Sequence, residues 1–267
     1  VVFLYIAKIK KRKPLIHHIT NYVVANETAN FTLALGAFPV MSHAKPEVEE
    51  MVMLADALVL NIGTLDEYQV ESMILAGKKA NEKGIPVILD PVGAGATAYR
   101  TETARRLLKE LKISIIRGNQ GEVSILAGYR AEVAGVESIK AAEDLEAVVK
   151  ELAFKYGCVV CATGVVDLVS DGKRVARISN GHPMLASVTG TGCMATTINA
   201  IYAAVADDYF EASVEAQAAF GIIGELAYEK AGSNPGTFHQ SLYDVAYALT
   251  DRLVNERKKV EYLDEKN

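Results

Sequence analysis

The stretch Thr189-Gly190-Thr191-Gly192-Cys193 leads into Met194-Ala-Thr-Thr-Ile-Asn-Ala, a helical pattern. Glycines on either side of Thr191 let the backbone turn tightly and line up successive N–H groups at the positive end of a helix dipole. Such a nest binds a phosphate, or the negative charge that develops on one during transfer. An ordinary glycine-rich entry into a helix has the same composition, so the loop needs chemical company before it defines a site. It has neither the Gly-Lys-Ser/Thr of a Walker A loop nor the Gly-x-Gly-x-x-Gly spacing of a dinucleotide fingerprint.

That company stands at the ends of apolar runs. Asp90 closes Ile85-Pro-Val-Ile-Leu-Asp90 and precedes Pro91-Val-Gly-Ala-Gly95. An acid there can hold Mg²⁺, directly or through water, beside triphosphate oxygens, although a turn or cap acceptor is the commoner use of a lone Asp at a strand end. Arg117 ends another run and carries a planar fork of donors suited to phosphate; Glu122 follows close behind, after Asn119. Asn61-Ile-Gly-Thr64 and Thr163-Gly164 also fall at strand ends. Ligands of an open parallel sheet bind beyond the carboxyl ends of its strands. The convergence of these residues predicts a phosphoryl-transfer site in which Gly190, Thr191, Gly192 and Cys193 form the anion loop.

The elements that must position them alternate. Asp56–Leu60 is predicted as a buried strand and Glu67–Lys83 as a helix closed by Gly84. A strand ending at Asp90, a helix capped by Thr101 and running to Leu111, and a strand over Ile113–Ile116 follow. Repeated strand–helix units imply parallel pairing, right-handed crossovers and helices on both faces of the sheet. Further on, Cys158–Ala162 and Asp167–Ser170 read as strands, with Arg174–Ile178 pairing back across Asp171-Gly172. The last third is predicted helical over Cys193–Ala206, Glu211–Lys230 and His239–Glu256, with a charged, frayed tail from Lys258. Ala212, Ala216 and Ala219 predict close helix packing. With no repeat, linker or break in composition, residues 1–267 are expected to form a single domain.

Composition excludes other classes. The chain has 267 residues, half of them hydrophobic, enough for a substantial core, and its net charge of −5 offers nucleic acid no electrostatic footing. An apolar start, Val1–Ala7, is followed by Lys8, Lys10, Lys11, Arg12 and Lys13. That is the reverse of a signal peptide and far too short to span a membrane, so a first helix with a solvated basic face is expected, and no membrane partner. Cys158, Cys161 and Cys193 make no disulfide framework, which fits a reducing, cytoplasmic setting. Cys158 and Cys161 sit in a strand at odd spacing, so they face opposite sides and are expected to be buried thiols rather than a redox or zinc pair.

From about Pro14 to Leu253 the chain resembles the hydroxyethylthiazole kinase family. The resemblance is carried by His17-His-Ile-Thr-Asn21, Gly36-Ala-Phe-Pro-Val-Met41, Asn61-Ile-Gly-Thr64, Leu89-Asp-Pro-Val-Gly-Ala-Gly-Ala-Thr97, Ile116-Arg-Gly-Asn119 with Glu122, Ala162-Thr-Gly164 and Thr189-Gly-Thr-Gly-Cys193. Each is weak alone; in this order they are highly specific. The resemblance implies a ribokinase-like three-layer α/β fold with a mostly parallel central sheet. It also implies ATP- and Mg²⁺-dependent phosphorylation of a thiazole alcohol in thiamine salvage. Asn21, Met41, Gly190 and Cys193 would then belong to the thiazole pocket, Arg117, Thr163 and Gly164 to the ATP contacts, and Asp90 and Glu122 to the metal. A homotrimer with active sites at subunit interfaces is implied as well. Met41 is a polarisable filler suited to an azole ring, and Asn21 a hydrogen-bonding partner for it. His17 and His18 admit helix-entry or packing roles as readily as ligand contact.

Phe38 stands where many relatives have a small residue, and Gly121 where they have serine; the first narrows the pocket or fills a gap, the second perturbs the loop before Glu122. The wider ribokinase-like group usually carries Asp where this chain has Cys193. That difference argues against a hydroxymethylpyrimidine-type kinase and against a nucleotide-dependent hydrate dehydratase of the same fold. A thiol is a poor base unless its pKa is lowered, but phosphoryl transfer needs little base assistance. Cys193 is therefore expected to orient the alcohol more than to deprotonate it.

Overall fold

The computed structural model describes residues 4–129 and 142–263. Helix α1 (Tyr5–Arg12) buries Tyr5, Ile6 and Ile9, leaves its basic side chains in solvent as expected, and ends at Lys13 in the left-handed region. Strand β1 (Leu15–Ile19), α2 (Ala25–Ala34), β2 (Phe38–Met41), α3 (Val48–Leu54) and β3 (Ala57–Asn61) follow. The alternation continues through α4 (Glu67–Lys83), β4 (Val87–Asp90), α5 (Ala98–Glu110), β5 (Ile115–Asn119), α6 (Gln120–Ala127), α7 (Ala142–Tyr156) and β6 (Val159–Thr163). A hairpin of β7 (Asp167–Ser170) and β8 (Val175–Ile178) leads to a 3-10 turn at Pro183–Ser187. The chain closes with α8 (Thr191–Ala203), α9 (Tyr209–Ala231), α10 (Pro235–Ala248), α11 (Asp251–Arg257) and β9 (Val260–Leu263).

The strands form one sheet in the order β2-β1-β3-β4-β5-β6-β7-β8-β9. Pairing is parallel from β2 to β6 and antiparallel from β6 to β9. Apolar clusters cover both faces. Ile88, Ile115, Val159 and Cys161 point into one with α8 and α9; Leu58, Leu89, Ile116 and Val160 point into the other with α4 and α5. This is the expected three-layer α/β arrangement. Cys158 and Cys161 fall in opposite clusters, and burial pushes both thiols up to about 12, as suits structural thiols.

Local chemistry explains the helices that matter to the site. Asp66 caps α4 by accepting from Gln69 N at 2.8 Å, and Gly84 closes it with φ 79°. Helix α8 is buried along Met194–Ala203, and the fully buried Ala212, Ala216 and Ala219 let α9 pack on its neighbours. No helix among the described residues is long and apolar enough to cross a membrane.

Three expectations need correction. Thr97, not Thr101, caps α5: its side chain accepts from Arg100 N, while the Thr101 hydroxyl donates to Thr97 O at 2.9 Å. The helix predicted over His239–Glu256 is two helices, because Leu249 is extended and Thr250 starts α11 by capping Leu253 N. The tail from Lys258 is not frayed throughout, since Val260–Leu263 pairs with β8. Edge pairing is made by backbone groups, so charged side chains do not forbid it. Residues 264–267 lie outside the described residues.

Candidate active site

A cleft of about 1000 Å³ opens at the carboxyl ends of the parallel strands. Of the residues singled out in the sequence, Asn21, Asp90, Arg117, Glu122, Thr163, Gly164, Gly190, Thr191, Gly192 and Cys193 all line it. Met41 does not. It is the half-buried last residue of the edge strand β2, paired with His18.

Gly190 is the N-cap of α8 in the left-handed conformation, φ 87°, a geometry that favours glycine. Met194 N donates to Gly190 O at 2.9 Å, closing the first helical turn. As the first residues of the helix, Thr191, Gly192 and Cys193 have N–H groups with no intrahelical acceptor, the raw material of an anion site. The Thr191 hydroxyl donates to Leu185 O at 2.8 Å and so fixes the loop on the preceding 3-10 turn. What Thr191 offers a ligand is thus its backbone N–H. At Gly192 a Cβ would lie 3.1 Å from Arg117 Nη1, so the guanidinium sits directly against the loop.

Arg117 is buried on β5, donates from Nη2 to Thr163 Oγ1 at 2.6 Å, and has no partner for Nε. Thr163 in turn donates to Gly118 O at 3.2 Å. At Gly164 the N–H donates to Asp167 Oδ1 at 3.0 Å, and a Cβ would strike the Gln120 side chain. Burial raises the Asp167 carboxyl to about 6, against the pull of the Gly164 N–H and Arg117.

Asp90 is 1 % exposed, and its Oδ2 accepts from Asn61 Nδ2 at 3.0 Å and from Thr196 Oγ1 at 2.7 Å. Oδ1 takes part in neither bond. Burial raises this carboxyl to about 7; Arg117 pulls it down and Glu122 pushes it up. Glu122 forms a capping box with Asn119, accepting from Asn119 N on Oε2, while Oε1 accepts from Gly93 N, each at 2.8 Å. Gly121 leaves this box intact, so the missing serine does not disturb the loop. The described residues contain no group of three or more His, Cys, Asp or Glu placed to hold a metal. A Mg²⁺ that keeps its water and phosphate ligands needs only one or two carboxylates, so Asp90 and Glu122, both lining the cleft, would suit that ion.

Cys193 opens toward the cleft from the first turn of α8. Burial, then the Asp90 charge, pushes its thiol up to about 12, with Asn61, Arg117 and Asn21 pulling the other way. Burial dominates, and the thiol stays protonated at neutral pH.

The two histidines pack within β1 and do not line the cleft. His17 Nε2 bonds Ser42 O at 2.7 Å, and His18, wholly buried, is pushed down to about 3 by desolvation. Phe38 is half-exposed at the start of β2 and, within one chain, does not line the cleft.

Several contributors carried no readable signal in the sequence. Arg100 donates to Ile62 O, Val92 O and Gly63 O at 3.0, 2.8 and 2.6 Å, stapling together the loops after β3 and β4. Asp167, Asn180 and His182 line the outer cleft. Asn61 lay in a strand-end motif, but nothing in its spacing assigned it partners.

Fold and topology place the chain among α/β proteins of the ribokinase-like fold. The fold is shared with a ribokinase-like superfamily protein from Enterococcus faecalis at TM-score 0.65 and 14% identity, and with a Staphylococcus aureus pyridoxal kinase at 0.64 and 16%. The sequence model of the hydroxyethylthiazole kinase family matches residues 6–252, and the chain belongs to that family. It is 54% identical over 255 residues to hydroxyethylthiazole kinase from Thermoanaerobacter pseudethanolicus, covering 95% of this chain and 97% of that one. The enzyme from Desulforudis audaxviator is 52% identical over 258 residues, covering 97% and 94%. The solved structure of the Pyrococcus horikoshii hydroxyethylthiazole kinase protein superposes at TM-score 0.90 with 42% identity, covering 97% of this chain and 98% of that one.

Proposed function

We propose that this chain, as a single kinase domain, transfers the γ-phosphoryl group of ATP to the hydroxyl of 5-(2-hydroxyethyl)-4-methylthiazole, a salvage step toward thiamine. The observation that carries the reading is the meeting, in one cleft, of the α8 anion loop, the Arg117 guanidinium and the Asp90–Glu122 acidic pair. The N–H groups of Thr191, Gly192 and Cys193 face the phosphoryl charge as it develops, with Arg117 beside them and Thr163 and Gly164 at the nucleotide. Asp90 and Glu122 would hold Mg²⁺, which would supply neutralisation of phosphate charge. Asn21 and Cys193 orient the alcohol. Its oxygen bonds to the γ-phosphorus as the bridging P–O bond breaks, the electron pair leaves with ADP, and the hydroxyl proton passes to a phosphoryl oxygen of the product.

A homotrimer is part of the same reading. Tyr22 and Val23 in the turn before α2, Leu33 on α2 and Phe38 at the β2 edge are between 49% and 81% exposed, and Val23 also lines the cleft. Association there would bury this apolar edge and give Met41 a place at a shared site. The free thiols, those of Cys158 and Cys161 buried, suit a cytoplasmic protein.

Incubation of the purified protein with Mg·ATP and a panel of azole and pyrimidine alcohols tests the activity. The thiazole alcohol is expected to be phosphorylated; turnover of a pyrimidine alcohol and of no thiazole would overturn the assignment. Because the Cys193 thiol stays protonated at neutral pH, Cys193→Ala should lower kcat by no more than about tenfold, below the range of a general base. A loss beyond about a hundredfold with substrate binding intact would make Cys193 the base.

A further inference from the structure

Asn61, the last residue of β3, is 1 % exposed and uses all of its amide's hydrogen-bonding capacity. Nδ2 donates to Asp90 Oδ2 at 3.0 Å and to Cys193 Sγ at 3.2 Å. Oδ1 accepts from Gly63 N at 2.9 Å and from Asn21 Nδ2 at 2.8 Å. A backbone N–H can only donate, so the Gly63 contact fixes which way the amide faces. Asn21 Nδ2 also lies 3.7 Å from the Cys193 sulfur. The sulfur therefore meets N–H donors from both asparagines, and the polar function the thiol keeps for a ligand is its S–H.

We propose that Asn61 is a positioning residue for phosphoryl transfer. It holds the Cys193 sulfur as a hydrogen-bond acceptor, so that the S–H donates to the oxygen of the acceptor alcohol, and it ties that thiol to the Asp90 carboxylate. The alcohol's own proton is thereby turned away from sulfur and toward the γ-phosphoryl oxygen on which it ends. This assignment rests on the alcohol-kinase reading. It gives the lone amide at the end of β3 a task that burial alone does not require: keeping the acceptor side of the cleft in register with the phosphate side, where small misplacements carry large rate penalties.

Asn61→Leu removes all of the amide's bonds, whereas Asn61→Asp keeps the shape and the Oδ1 acceptor, shares a proton with the Asp90 carboxyl it faces, and loses the N–H donor to Cys193 Sγ. Either should lower kcat about thirtyfold while the KM values for alcohol and ATP move less than about threefold. In a Cys193→Ala background the same changes should cost at least about threefold less, because part of their effect runs through the thiol. The infrared S–H band of Cys193, identified by difference against Cys193→Ala, should shift in both Asn61 variants. That readout needs no substrate: a chain that phosphorylates no alcohol sinks the functional reading, whereas an S–H band unmoved in both variants sinks the role of Asn61. Strictly multiplicative kcat effects, or a change confined to KM, would overturn it as well. If Asn61→Leu does not fold, Asn61→Asp carries the test.

Discussion

Asp90→Asn is expected to lower kcat/KM by about 10²- to 10³-fold, the range for losing one preorganised charge in a closed site. The Mg²⁺ concentration for half-maximal rate should rise by about tenfold or more, since the ion loses one of its two proposed carboxylates. Mg²⁺ dependence left unchanged in both Asp90→Asn and Glu122→Gln would remove this pair from the metal site. Stability should move the other way. Burial raises the Asp90 carboxyl to about 7, so the folded chain keeps a proton that the unfolded chain releases from about pH 4 upward. Folding stability contributed by this group therefore falls as pH rises through that window, and above it the fold carries a buried charge. Asp90→Asn removes that cost. At pH 8 the variant should melt about 3 °C or more above the parent, a shift that corresponds to about 1 kcal/mol in a chain of this size. The gap should close as the pH is lowered toward 4. A variant that melts below the parent at pH 8 would mean that the Arg117 attraction outweighs desolvation.

Gly190→Ala should cost about a hundredfold or more in kcat with the fold intact. Gly190 has φ 87°, where an L side chain is strained by about 1–2 kcal/mol. A Cβ there would also stand 2.8 Å from Val24 Cγ1, and Val24 is buried, so the loop has to move. Movement at the cap of α8 displaces the N–H groups of Thr191, Gly192 and Cys193 together, and a misplacement of about 1 Å carries a rate loss of about a hundredfold. Gly236→Ala is the control, because a Cβ at that position meets nothing within 4 Å. It should change kcat by less than about twofold, and the two variants are compared by kcat and by circular dichroism. Full activity in Gly190→Ala would separate the loop from the transfer step.

Much of this was legible in the chain, for local reasons. The strand over Asp56–Leu60, the helix from Glu67 to Lys83 and the turn at Asp171-Gly172 are written in short runs, caps and glycines that act on neighbours in sequence. The anion loop was legible because glycines and a following helix pattern are adjacent. Strand β1 was harder: Leu15–Ile19 holds two histidines where an apolar run would announce a buried strand. The pairing of β9 was hidden because backbone hydrogen bonds leave no mark on side-chain composition. Met41 shows the reverse limit. Its sequence motif implied a pocket residue, yet within one chain it stands on the edge strand, outside the cleft.

The sequence by itself determined the alternation of strands and helices, the burial of Cys158 and Cys161, and the placing of Asp90, Thr163 and the Gly190–Cys193 loop at element ends, whereas Arg117, expected to end its strand, lies in the middle of β5. These follow from periodicity, which each segment carries alone. Only the tertiary structure decided what those residues do to one another. Glu122 became a fixed cap on α6 as well as a cleft carboxylate, Asp90 rose to about 7, and the Cys193 thiol rose to about 12 instead of falling toward thiolate. Asn61 joined four of the cleft's residues, Asn21, Gly63, Asp90 and Cys193, through one amide. Such properties come from desolvation and from contacts between segments far apart in the chain, and both arise only when the sheet brings its strand ends together.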